Sequence, residues 1–218
     1  MAWRSTGGSN AELVSNMALN RVDRARYVVD KVDAYIDSPQ SIGYGATISA
    51  PHMHAHATEI LLPLLRPGAR VLDIGSGSGY LCAVFHHLVT SDEKKGKVVG
   101  VEHISQLVDW SKENVRKDGL GHALDDGEIV LIAADGRQGW PEGGPYDAIH
   151  VGAAAPTLPQ ALVDQLASPG RMFIPVGTYA QEVLQVDKHE DGRVTTKELF
   201  GVMYVPLTDQ EKQRHMGF

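Results

Sequence analysis

The chain has 218 residues, 43% of them hydrophobic, with a formal net charge of -7, and its longest basic run is the pair Lys94-Lys95. This suits one α/β domain with a sizeable core, and it argues against tight binding to nucleic acid or an anionic membrane, which needs clustered Lys and Arg. The single cysteine, Cys82, excludes an intrachain disulfide and fits a reducing, cytoplasmic setting. The first residues lack the apolar core of a leader peptide, and no apolar stretch reaches the length of a membrane span.

In chain order, residues 10–36 read mostly as helix, and the Pro39–Ala50 segment as loop or extended chain. An apolar-rich helix runs from Pro51 to about Leu65, where Pro67-Gly68 stops it. A strand–helix alternation follows. Strands are predicted at Arg70–Ile74, Lys97–Glu102, Glu128–Ala133, Tyr146–Val151 and Arg171–Val176, with helices at Tyr80–Val89, Ser105–Lys117 and Leu158–Ala167. Apolar strands alternating with helices imply a parallel sheet covered on both faces. Glu182–Lys188 and Arg193–Val205, joined by the turn His189-Glu190-Asp191-Gly192, read as an antiparallel hairpin at the sheet edge. The expected fold is one doubly wound, mostly parallel α/β domain. Residues 1–66 are expected as an N-terminal helical region able to cover a substrate, and residues 67–218 as a Rossmann-like core with a C-terminal cover.

Three features carry chemistry. In Ala46-Thr47-Ile48-Ser49-Ala50-Pro51, two hydroxyls stand two residues apart, so in an extended chain both face one side. Pro51 suits the first turn of a helix, so this block also reads as ordinary helix-start chemistry. Downstream, Asp73-Ile74-Gly75-Ser76-Gly77-Ser78-Gly79-Tyr80 is a strand entering a glycine-rich turn and a helix, which lets a ligand lie against bare backbone. Tyr80 stands where the nicotinamide fingerprint Gly-x-Gly-x-x-Gly places its last glycine. Asp73 would attract a cationic ligand and repel a pyrophosphate, and Glu102, ending the next strand, suits the two hydroxyls of a ribose. This combination favours S-adenosylmethionine over a nicotinamide dinucleotide. Third, Asp135-Gly136 offers an acceptor for an adenine amino group and room for the ring, although Asp-Gly is also a routine turn.

Together these blocks resemble the protein-L-isoaspartate (D-aspartate) O-methyltransferase family. The resemblance runs through Asp37-Ser38-Pro39-Gln40-Ser41-Ile42-Gly43, Ala46–His54, Asp73–Tyr80, Asp135-Gly136-Arg137, Asp147–Pro156 and Tyr204-Val205-Pro206-Leu207-Thr208, all in family order. The Thr-Ile-Ser-Ala-Pro-His block is its most diagnostic part. The resemblance implies methyl transfer from S-adenosylmethionine to the α-carboxylate of L-isoaspartyl residues in damaged proteins and peptides. The ester would then collapse to a succinimide and reopen partly as normal aspartate. It also implies contacts to the methyl donor from Ala46, Thr47, Ile48, Ser49, His54, Asp73, Gly75, Ser76, Gly77, Ser78, Gly79, Glu102, His103, Asp135, Gly136, Thr208 and Gln213. Substrate contacts are implied at Ile42, Ser49, Val151, Ala154, Ala155 and Val205. No metal is expected, and the protein is expected to act as a monomer.

A carboxylate is already nucleophilic at neutral pH, so the reaction depends on placing it in line with the methyl group. Ser49 is the expected orienting hydroxyl and Thr47 the second. Small residues in Val151–Pro156 would leave room for a peptide backbone, and equally suit a tight connection. Cys82 and His150 read as core residues, and His86-His87 as surface or boundary. Compared with the family, the segment between the first helix and Val22-Asp23-Arg24 is about ten residues short. That leaves two alternatives in view: an S-adenosylmethionine-binding module with little turnover, and a methyltransferase for small molecules.

Overall fold

The computed structural model describes residues 18–209. Strand β3 (Arg70–Ile74) is buried along all but its first residue, and its alternating side chains feed two separate cores. Val71 packs on one face of the sheet with Val98, Ala148 and Phe173; Leu72 packs on the other with Val99, Ile149 and Met172. This is the period of two expected of strands covered on both faces.

Around β3 the chain builds a seven-stranded sheet in the order β5-β4-β3-β6-β7-β8-β9. Its other members are β4 (Lys97–Glu102), β5 (Ile129–Ala133), β6 (Tyr146–Val151), β7 (Leu166–Gly177), β8 (Gln181–Lys188) and β9 (Val194–Val202). Strands β3 to β7 pair in parallel, and β8 and β9 close one edge antiparallel, as the sequence predicts. Helices α1 (Pro51–Leu61), α2 (Tyr80–Val89) and α3 (Ser105–Val115) pack on the face that holds Val71; the short α5 (Gln160–Asp164) covers the other. The chain leaves β3 towards β4 and β5, then returns on the opposite side as β6. The crevice between the carboxyl ends of β3 and β6 is therefore the topological switch point, where open α/β sheets bind ligands.

Three elements differ from expectation. Helix is found over residues 18–21, but the chain from Val22 to Ser38 is a single 3-10 turn (Arg24–Arg26) among irregular turns. Asp23 caps that turn by accepting from the Ala25 N–H (3.1 Å), and Asp30 accepts from Val32 N–H (2.9 Å), so local acidic side chains compete with helix continuation. The part of the predicted helix before residue 18 lies outside the described residues. Second, the Pro39–Ala50 segment is a hairpin, β1 (Gln40–Gly43) and β2 (Ala46–Ile48). Its turn puts Gly43, Tyr44 and Gly45 in succession at φ of 87°, 56° and 70°, which the two flanking glycines tolerate. Third, the predicted Leu158–Ala167 helix is only the five residues of α5, because β7 begins at Leu166, which pairs with Tyr146. A short helix that the pattern did not suggest, α4 (Gly121–Asp125), follows α3. No helix among the described residues is long and apolar enough to cross a membrane.

Candidate active site

The glycine loop opens where β3 ends. Gly75 and Ser76 N–H groups donate to the Val101 carbonyl (2.8 and 3.2 Å), and the Gly152 N–H donates to the Ile74 carbonyl (2.8 Å). These bonds lock the ends of β3, β4 and β6 around one crevice. Gly75, Gly77 and Gly79 all take positive φ, so the loop can turn tightly while exposing its backbone. Gly79 precedes α2. A side chain there would press on Ser111.

Two cavities meet over this loop and share Thr47, Gly75, Gly77 and Gly152. One extends to Glu102, His103, Gly136 and Thr208. The other extends to Ser49, His54, Asp73, Ser76, Ser78 and His150. An elongated ligand lying across both would have a carboxylate at each end and bare backbone at its middle. That arrangement suits a nucleoside joined to a cationic amino-acid chain. Glu102 is buried, and its two oxygens accept from the N–H groups of Gly77 (3.2 Å) and Ile104 (3.0 Å), which leaves lone pairs for a diol. Burial pushes its carboxyl above the usual range. At Gly136, an added Cβ would stand 2.6 Å from the Ile74 side chain, so only glycine fits at this wall.

The β1–β2 hairpin delivers the hydroxyls. Ile42 is buried, its tip 3.1 Å from where a Gly77 Cβ would stand, so the hairpin is seated on the glycine loop. Thr47 lies at the junction of the two cavities, and Ser49 in the Asp73 cavity. Tyr204 stands beside Ser49, and burial pushes its phenol up to about 12. Tyr204 belongs to the strap that follows β9. Its backbone is clamped by Gln181, which accepts from the Tyr204 N–H (2.6 Å) and donates to its carbonyl (3.1 Å).

A model of the family described as Protein-L-isoaspartate(D-aspartate) O-methyltransferase (PCMT) matches residues 4–212. The chain belongs to this family. An Arabidopsis thaliana relative, protein-L-isoaspartate O-methyltransferase 1, is 51% identical over 196 residues, covering 90% of this chain and 84% of its own. The Caenorhabditis elegans protein-L-isoaspartate O-methyltransferase is 47% identical over 226 aligned positions, covering 98% of both chains. That alignment is longer than this chain, so the worm protein carries residues with no counterpart here. A Plasmodium falciparum structure described as a protein-L-isoaspartate O-methyltransferase in complex with S-adenosyl-L-homocysteine superposes with a TM-score of 0.82. It is 35% identical and covers 93% of this chain and 92% of that one. The fold is that of an S-adenosylmethionine-dependent methyltransferase, and the cofactor of this family is S-adenosylmethionine.

Within this methyltransferase, several predicted residues have partners that the sequence did not suggest. Asp73 is buried, and both its oxygens are engaged within the protein: one stands 2.7 Å from His150 Nδ1, and the other accepts from Cys82 Sγ (3.2 Å). Its charge is thus held beside the cavity by two core residues, and burial with the adjacent Asp73 pushes the Cys82 thiol up. His150 also stacks on Phe173, with ring centroids 5.6 Å apart. Asp135 faces Arg137, accepting from its backbone N–H (3.0 Å) and from its guanidinium (2.7 and 2.9 Å); it is Gly136 that lines the cavity.

Val151, Ala154 and Ala155 are buried. The strap takes both backbone groups of Ala154: its N–H donates to the Val205 carbonyl and its carbonyl accepts from the Leu207 N–H, each at 2.8 Å. Ala155 N–H donates to Pro175, and its carbonyl accepts from Gly177. The backbone groups of Ala154 and Ala155 are thus engaged by the strap and β7. Thr208 and Val205 lie on the strap itself, beside the Glu102 cavity; Gln213 lies outside the described residues. His86, expected at the surface or boundary, is buried, with Nε2 2.7 Å from Glu128. Tyr204 and Arg24 both lie in segments the sequence singles out, but nothing local joins either of them to Ser49.

Proposed function

We propose that this chain transfers the methyl group of S-adenosylmethionine to the α-carboxylate of L-isoaspartyl residues, with Ser49 and Thr47 orienting that carboxylate. The observation that carries the proposal is the meeting of the two cavities at Thr47, with Ser49 one strand step away in the Asp73 cavity. S-adenosylmethionine, when bound, supplies a methyl group on a positively charged sulfur. Glu102, Gly136 and His103 would hold its nucleoside end, and the Asp73 cavity its amino-acid end.

The residues of the chain then have a modest task. The substrate carboxylate brings its own electron pair and has no proton to lose, so no general base is required. Neutral hydroxyls hold it without quenching its nucleophilicity, and a correctly aimed approach is where the rate comes from. The Ser49 hydroxyl, beside Tyr204, and the strap would restrict the approach of the carboxylate. The carboxylate oxygen would bond to the methyl carbon as the sulfur–methyl bond breaks and S-adenosylhomocysteine leaves, and the product is the ester from which a succinimide can close. Ile42 and Val205, on the hairpin and strap, would flank the substrate chain. We further read the enzyme as a cytoplasmic monomer acting on damaged proteins and peptides.

The test is methyl transfer from labelled S-adenosylmethionine to matched peptides with isoaspartate or aspartate at one position. Label confined to the isoaspartyl peptide is the expected result. Equal labelling, or none with the cofactor bound, would overturn the reading.

A further inference from the structure

Arg24 is buried to 2% exposure, and among the described residues no carboxylate stands within ion-pair distance of its guanidinium. A buried cation without an ionic partner is costly unless its donors are fully used. Here three of its donors are engaged, two of them on residues of the active-site wall. Nε donates to the Ala34 carbonyl (2.8 Å), Nη2 donates to the Ser49 carbonyl (2.8 Å), and Nη1 stands 3.1 Å from His54 Nδ1. The guanidinium carbon lies 5.5 Å above the Tyr80 ring, and His54 rests on the same ring at 4.9 Å. Tyr80 thus forms the floor under both, at the helix position where a nicotinamide site keeps glycine.

A guanidinium can only donate, so His54 Nδ1 must accept. The ring proton is then confined to Nε2 of a residue that lines the cavity holding Ser49 and Asp73. Burial, then the nearby Arg24 charge and His150, keeps His54 well below the usual imidazole range, so the ring stays neutral.

We propose that Arg24 is a positioning residue for methyl transfer, fixing Ser49 through its main-chain carbonyl and holding His54 in its Nε2–H tautomer as a neutral donor facing the cavity. The geometry needs a fork: three acceptors in three directions are reached by one planar group, which a lysine ammonium on a flexible stem cannot match. The proposal rests on the reading of Ser49 as the residue that orients the carboxylate.

The test pairs ring nitrogen NMR of His54 in the free enzyme with kinetics of Arg24→Lys and Arg24→Met. The wild-type ring should show a protonated Nε2 and a bare Nδ1 at neutral pH, and Arg24→Met should lose that fixed assignment. Arg24→Lys should keep the charge and most of the melting temperature. Its kcat on an isoaspartyl peptide should fall on the order of tenfold or more, with KM changed much less, as misplacement of a reacting group predicts. A wild-type His54 that carries its proton on Nδ1, or is protonated at neutral pH, would overturn the proposal even if neither variant folds. So would Arg24→Lys with wild-type kcat. The ring assignment needs no substrate, so a negative isoaspartyl assay would sink the substrate reading and leave the tautomer result standing.

Discussion

Ser49 illustrates how much one side chain can be asked to do. Its carbonyl accepts from Arg24 and its side chain lies beside Tyr204, so its main chain is fixed before any substrate arrives. Ser49→Ala removes the hydroxyl while leaving the carbonyl bond to Arg24 in place. We expect kcat to fall about 10- to 100-fold with cofactor affinity changed little, since losing an orienting contact costs rate more than binding. Steady-state kinetics beside calorimetry with S-adenosylhomocysteine would show it, and a near-normal kcat would return Ser49 to the status of a helix-start residue. The residue types at Thr47 and Ser49 and their spacing were plain in the sequence. Their partners were not: Arg24 and Tyr204 lie 25 and 155 positions away along the chain, and no local pattern ties them to a serine.

At the scale of elements, the hairpin β1–β2 and the strap after β9 form the walls of the crevice. The hairpin was hidden because its strands are only four and three residues long, and such short runs carry too little alternation to separate them from loop. The strap is held by Gln181 on the Tyr204 backbone and by the Ala154 bonds to Val205 and Leu207. Gln181→Ala deletes two of these hydrogen bonds at once. Each is worth about 1 kcal/mol net, so amide exchange at Leu207 should quicken roughly tenfold or more while the sheet core exchanges as before. Catalytic efficiency should drop with it, because the strap beside Ser49 would loosen. Hydrogen exchange resolved by residue would decide this; unchanged protection at Leu207 would mean that Ala154 alone holds the strap.

For the whole molecule, three histidines set the response to acid. His54, His86 and His87 are all lowered, chiefly by burial, His87 to about 4. An unfolded imidazole takes up its proton near pH 6.5. With depressed folded-state values, the unfolded chain binds more protons, so their contribution is fully present above about pH 6.5 and is lost as pH falls through the folded values. Glu102 and Asp118, both raised by burial, act with the opposite sign at lower pH. The melting temperature should therefore decline from about pH 7 to pH 5, and His86→Gln should flatten that decline. His86 faces Glu128, with Lys95 and His122 nearby, so the comparison belongs in one buffer series. An identical slope in the variant would remove His86 from the account.

The sequence by itself determined the alternation of strands and helices, the glycine loop, the acidic end of β4 and the hydroxyl block. These are local signals: side-chain period, turn chemistry and helix starts are set within a few residues. Strands β3, β4 and β6 and helix α2 match the predicted bounds because each is a mostly apolar run bounded by polar, proline or glycine residues. Tertiary structure alone decided what those signals do to one another. It spent the Ala154 backbone on the strap, turned Asp73 towards His150 and Cys82, and buried Arg24 against Ser49 and His54. Each of those outcomes depends on a donor meeting an acceptor from a distant segment. Only folding the sheet at its switch point brings such segments within 3 Å or so of each other.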